Sequence, residues 1–184
     1  MYNVQNCKIS GCFLLTPKVF KDDRGDFIKN FSKSGYEELG LHSVFWEDFY
    51  TLSKKDVIRG MHFAKPPSDH VKTISCVTGT IFDALVDLRL GSPTYGVSET
   101  LVLTGDKPQI LYAPIGVAHG FCSLTNNTIV QYKVSKLFCA DDDIGVRWNS
   151  VGIDWPTKQP IISVKDANLP SFFDFKSPFK FAHK

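Results

Sequence analysis

The feature that most limits how this chain can fold is the rhythm of its apolar residues, which come in short runs broken by Gly, Pro, Asp or Asn about every ten residues. Val71–Val77 (VKTISCV), Thr80–Leu88 (TIFDALVDL), Val97–Thr104, Gln109–Ala113 and Thr128–Ser135 are the clearest runs. Turn chemistry separates them at Thr78-Gly79, Gly105-Asp106-Lys107-Pro108 and Thr125-Asn126-Asn127. Within the second run Phe82, Ala84, Val86 and Leu88 alternate with Ile81, Asp83, Leu85 and Asp87, a period near two that suits a strand and not a helix. Evenly spaced strands with tight turns predict an all-β sandwich or barrel and argue against βαβ units. Ser34–Leu39 (SGYEEL) is the one good helical candidate, short and peripheral. Four of the ten prolines (Pro156, Pro160, Pro170 and Pro178) fall in the last thirty residues, which predicts an irregular segment over about 155–184. With no repeat or linker in view, residues 1–184 read as one β-rich domain.

Lys plus Arg is 21 and Asp plus Glu is 19, so the net charge is 21 − 19 = +2. That balance gives no electrostatic reason to expect nucleic acid, and any anionic ligand must be held by a local cluster. The five cysteines (Cys7, Cys12, Cys76, Cys122 and Cys139) are odd in number and contain no CxxC pair, as expected in a reducing compartment. The start, MYNVQNCKISGCFLL, lacks a basic stretch followed by a long apolar one, and no apolar run approaches the ~20 residues that span a bilayer. A cytoplasmic protein without a membrane partner is the expectation.

Polar groups stand out where an all-β core would want none. They are Asp23-Arg24-Gly25-Asp26-Phe27, Ile58-Arg59-Gly60-Met61-His62-Phe63, Lys72 at the start of an apolar run, Pro114 to Phe121 (PIGVAHGF), and Tyr132-Lys133 inside TIVQYKV. Singly, each has a bland explanation: a strand-end Arg is usually a solvated rim charge, and a lone His among apolar neighbours is usually a satisfied core residue. Together they suggest a barrel that gathers side chains from distant strands into its mouth.

The blocks DDRGDF (22–27), VIRGMHF (57–63), VTGTIFDALVDLRLGSPTYG (77–96), APIGVAHGF (113–121), QYKV (131–134), RWNSVGIDWP (147–156) and SVKDANLP (163–170) resemble the dTDP-4-dehydrorhamnose 3,5-epimerase family in order and nearly in spacing. The resemblance implies a cupin-type β-barrel (jelly roll) with a few short peripheral helices, a homodimer, and no metal or organic cofactor. The implied partner is a nucleotide-diphosphate 4-keto-6-deoxy sugar, epimerised at C3 and C5 in deoxysugar and surface-polysaccharide biosynthesis. The residues suit that chemistry. Protons at C3 and C5 are α to the C4 ketone, so their removal needs a base that titrates near neutrality, a role open to His62. The enolate oxygen needs positive charge, available from Lys72. Inversion needs a proton carrier on the opposite face, and Tyr132 suits it because a phenol is protonated at pH 7. By resemblance Asp166 orients His62, while Arg24, Phe27, Arg59 and His119 contact substrate, the two Arg forks suiting a diphosphate. An N-terminal strand crossing to the partner is also implied, and Cys12-Phe13-Leu14-Leu15 fits one.

Departures from the family pattern surround this set. Lys29 stands for the usual Glu, Glu47 and Phe49 (with Thr51) for a Gln-x-Asn-x-Ser motif, His70 for Gln two residues before Lys72, and Asp143 for Glu. Of these, Lys29, Glu47, Phe49 and Asp143 are expected to contact substrate, so the nucleotide, the sugar and inversion at C3 alone or at both carbons stay open. A nucleotide-sugar 3,4-ketoisomerase is the nearest rival, and Tyr132 in QYKV favours the epimerase. A metal-dependent cupin would need an HxH pair plus Glu, where this chain has only His62 between Met61 and Phe63. A silent sugar-nucleotide-binding barrel would not need both a base and an acid. His42 and His183 read as solvated surface residues, and His70 as a loop residue.

Overall fold

The computed structural model describes residues 1–182; the reading of His183 lies outside them. Thirteen strands are present among the described residues: β1 (Tyr2–Asn6), β2 (Phe13–Pro17), β3 (Val19–Asp22), β4 (Gly25–Ile28), β5 (Glu47–Ser53), β6 (Ile58–Ala64), β7 (Lys72–Thr78), β8 (Thr80–Asp87), β9 (Ser98–Thr104), β10 (Ile110–Ala113), β11 (Val117–Ser123), β12 (Thr128–Val134) and β13 (Asp143–Gly145). Two short helices, α1 (Lys33–Glu38) and α2 (Val164–Ala167), complete the fold. A six-stranded sheet runs β1-β2-β10-β7-β12-β5 and a five-stranded sheet runs β13-β6-β11-β8-β9. Every pairing within them is antiparallel. Their inner faces meet in an apolar core around Ile74, Leu85, Leu111, Phe121 and Val130. This is the all-β, cupin-type barrel expected.

The five apolar runs match β7 to β10 and β12 within a residue or so at each end, because their inward positions are apolar and their turns are marked by Gly, Pro and Asn. The expected helix is α1, started by the Ser32 hydroxyl accepting from the Gly35 N–H at 3.4 Å. The segment from 155 onward is less irregular than expected: Ser163 caps the single helical turn of α2 by accepting from the Asp166 N–H. The expectation for Cys12–Leu15 needs correction. Cys12 precedes β2 and Phe13–Leu15 lie in it, an interior strand of this chain's own sheet, with Leu15 buried against Tyr36, Val71, Ile110 and Tyr112. The exposed edge belongs instead to β1, whose residues after Tyr2 are all solvent-facing.

Buried charge holds one end of the barrel. Asp87, wholly inaccessible, accepts from Arg89 Nε and Nη2 at 2.7 Å each and from the Ser92 and Thr94 hydroxyls at 2.6 and 2.7 Å. Burial works to raise its carboxyl, and these donors outweigh it and hold Asp87 below the usual carboxylate range.

Candidate active site

A cavity of about 300 Å³ opens between the two sheets. The six-stranded sheet contributes Glu47, Phe49 and Thr51 from β5, Lys72 from β7 and Tyr132 from β12; the five-stranded sheet contributes Arg59 and His62 from β6, His119 from β11 and Asp143 from β13. His62 and Tyr132 therefore reach one pocket from opposite sheets.

Strand alternation alone would put Arg59 and His62, three residues apart, on opposite faces. A β-bulge corrects the parity. His119 pairs with His62 and Phe121 with Arg59, so Gly60 and Met61 together face Gly120. Only glycine fits there: Gly60 has φ +135°, and a Cβ on it would lie 2.5 Å from the Gly120 Cα.

His62 is anchored from the C-terminal segment. Its Nε2 lies 2.8 Å from Asp166 Oδ1, and Asp166 Oδ2 accepts the Gly60 N–H at 3.1 Å. An ionised carboxylate only accepts, so Nε2 carries the hydrogen and Nδ1 is left free to take a proton. Burial works to raise the Asp166 carboxyl; the bond to His62 and those to the Gly60 amide and Ser163 outweigh it and leave Asp166 below its usual range.

On the opposite wall Tyr132 is buried, its phenol pushed up first by burial and then by the negative charge of Asp83. It stays protonated across the physiological range. The Lys72 ammonium is brought down to about 8 by desolvation, against the pull of Asp143 and Asp83. Asp83 sits behind the pocket, fully buried, with Oδ2 2.7 Å from His119 Nε2 and Oδ1 unpaired. Burial raises its carboxyl, against the pull of His119 and Lys72.

Of the residues singled out from sequence, His62, Tyr132, Lys72, Arg59, His119, Glu47, Phe49 and Asp143 line this cavity, and Asp166 stands behind His62. Arg24, Phe27 and Lys29 do not. They lie on or just after the exposed β3–β4 hairpin, where Arg24 pairs with Asp22 at 2.6 Å and Phe27 is 62% exposed. His70 lies in a loop, as expected, between β6 and β7 and lines the pocket as well; burial, followed by the Lys72 charge, lowers it to about 4, so it is neutral near pH 7. Phe138 and Lys136 also line the pocket and had no sequence signal; the Phe138 N–H donates to Glu47 Oε1 at 3.0 Å, tying that loop to β5. Asp83 was visible only as a polar residue in an apolar strand. Arg59, Lys72 and Lys136 set three cations against Glu47 and Asp143, a local field suited to an anionic ligand. Among the described residues no three His, Cys, Asp or Glu side chains are grouped to hold a metal ion, and all five cysteines are free.

A barrel with a carboxylate-oriented His on one wall, a protonated Tyr on the other and a desolvated Lys in the same pocket falls in the class of cupin-type isomerases. Comparison narrows the class. The sequence profile of the dTDP-4-dehydrorhamnose 3,5-epimerase family matches residues 6–174, and the chain belongs to that family. It is 35% identical over 175 residues to the dTDP-4-dehydrorhamnose 3,5-epimerase of Shigella flexneri, covering 94% of this chain and 97% of that one. The crystal structure of the Bacillus anthracis enzyme of that name, with TDP and pyrophosphate bound, matches with a TM-score of 0.90 at 40% identity, over 93% of this chain and 99% of that one. The Legionella pneumophila dTDP-6-deoxy-D-glucose-3,5-epimerase, in complex with dTDP-4-keto-L-rhamnose, matches over the whole of both chains with a TM-score of 0.94 at 30% identity.

Proposed function

We propose that this protein is an isomerase that epimerises C3 and C5 of a nucleotide-linked 4-keto-6-deoxy sugar, for deoxysugar biosynthesis. The observation that carries the reading is the approach of His62 and Tyr132 to one pocket from opposite sheets, with Lys72 also lining it. His62 removes the α proton, and the C–H electron pair moves onto the C4 oxygen as an enolate. The Lys72 ammonium stabilises that oxygen. Tyr132 delivers a proton to the other face and becomes a phenolate. The His62 proton then passes to solvent and the phenolate takes one back, so the cycle closes without net gain or loss. Asp166 holds His62 in the productive tautomer, and Arg59 and His119 contact substrate.

The reading extends to assembly. One domain over residues 1–184 acts as a homodimer in the cytoplasm; no helix of the described residues is long and apolar enough to cross a membrane. Arg24, Phe27 and Lys29 lie outside the cavity of their own chain that holds His62 and Tyr132, and in the dimer they would reach the partner's cavity. Light scattering giving a mass near the 20.6 kDa monomer would reject the dimer. Incubation with dTDP-, GDP- and CDP-linked 4-keto-6-deoxy sugars in D2O tests the activity. Deuterium at C3 and C5 supports the assignment, deuterium at C3 alone makes the protein a single-carbon epimerase, and no exchange on any of them overturns it.

A further inference from the structure

Phe49 lies directly opposite Tyr132 in the β5–β12 ladder, and the two rings stack with centroids 5.1 Å apart and planes 20° from parallel. This is the offset geometry in which aromatic pairs attract beyond simple burial. His119 meets Tyr132 edge-on at 5.8 Å and 70°, and Asp83 fixes His119 from behind. The Tyr132 ring thus has one contact on its face and one of different orientation from the other sheet. β5 is an edge strand, so Phe49 is the outermost of these groups, 43% exposed while Tyr132 is only 7% exposed. Phe49 also borders a second cleft, shared with Trp46 and Phe138.

We infer that Phe49 is a positioning residue for Tyr132: stacked on the phenol ring, it holds the hydroxyl where it can protonate the face of the sugar opposite His62. The inference rests on the epimerase reading above and assigns a function to a side chain that takes no part in proton transfer itself. Without Phe49 one face of the ring is uncovered on the solvent side. The ring then gains freedom about its side-chain torsions, and its hydroxyl is less often aimed at the enolate. Proton abstraction by His62 does not depend on this face. The two observable rates should therefore separate.

The test compares wild type with Phe49→Ala and Phe49→Tyr in D2O, following by NMR both deuterium exchange and stereochemical inversion at each carbon. Phe49→Ala should lower inversion per exchange event about tenfold or more, a fraction of the 10²–10⁴-fold that a positioned acid supplies. Phe49→Tyr, which keeps the stack, should restore the wild-type ratio to within about threefold. Phe49→Leu, which keeps volume without an aromatic face, makes the same comparison should the alanine variant fail to fold. An unchanged ratio of inversion to exchange in the alanine or leucine variant overturns the inference and leaves the epimerase reading standing. Absence of exchange in wild type overturns both.

Discussion

Replacing Asp166 by Asn should separate the orientation of His62 from its presence. In the native protein both carboxylate oxygens accept, Oδ1 from His62 Nε2 at 2.8 Å and Oδ2 from the Gly60 amide at 3.1 Å. Asparagine has one oxygen to offer. The Gly60 N–H can only donate, so the oxygen stays with it and the new NH₂ turns to His62. Nε2 must then accept, which moves the ring hydrogen to Nδ1 and blocks the nitrogen that takes the substrate proton. Loss of a charge-assisted hydrogen bond alone is worth about 1.5–3 kcal/mol, or about ten- to 150-fold in rate. Complete loss of a general base sets the other bound, about 10²–10⁴-fold. Deuterium exchange at C3 and C5 in D2O should therefore slow by about 10²–10³-fold, with affinity for the nucleotide unchanged. Exchange within threefold of wild type would show that Asp166 does not set the tautomer.

Four further outcomes follow from the geometry. The Lys72 ammonium, lowered to about 8 by desolvation, must be charged to stabilise the enolate, so epimerisation should fall as pH rises past about 8, and a flat profile to pH 10 would remove Lys72 from that role. Gly60→Ala should destabilise the fold by at least about 1–3 kcal/mol in thermal unfolding, because its Cβ meets Gly120 at 2.5 Å in a φ +135° backbone; an unchanged melting temperature would contradict the close approach. Asp87→Ala leaves Arg89 buried without its partner and should cost about 3–5 kcal/mol in urea unfolding, and a loss under 1 kcal/mol would refute it. Asp87 and Asp166 are both held below the ordinary 3.8, so their contribution is complete above that value and disappears as pH falls through their lower folded values. Acid unfolding of Asp87→Asn should therefore be less steep in that window than that of wild type.

Much of the barrel was legible because β7 to β10 and β12 carry apolar residues on their inward faces and end in Gly, Pro or Asn turns. β5 and β6 were less so, since they line the pocket and carry Glu47, Thr51, Arg59 and His62 where a core strand would be apolar. β1 gave no apolar signal because, as an edge, it buries almost nothing. The site residues were found through short blocks shared with a known family, but their parity was not: nothing in RGMH announces that a bulge at Gly60 turns Arg59 and His62 to one side. His70 and Phe138 reach the pocket through loop conformation, which alternation does not encode. The hairpin residues Arg24, Phe27 and Lys29 were read into a pocket that their own chain does not bring to them.

The central claim is that one ring is worked from two sides, by His62 from the five-stranded sheet and by Tyr132 from the six-stranded one. The most direct measurement is a comparison of His62→Asn and Tyr132→Phe in D2O, with proton NMR following exchange and inversion separately. The account predicts that His62→Asn loses exchange at both carbons, since no enolate forms. Tyr132→Phe should keep exchange, because His62 can return a deuteron to the face it came from, while inversion falls by about 10²–10⁴-fold. Inversion at the wild-type rate in Tyr132→Phe would contradict the account and reduce Tyr132 to a wall of the pocket.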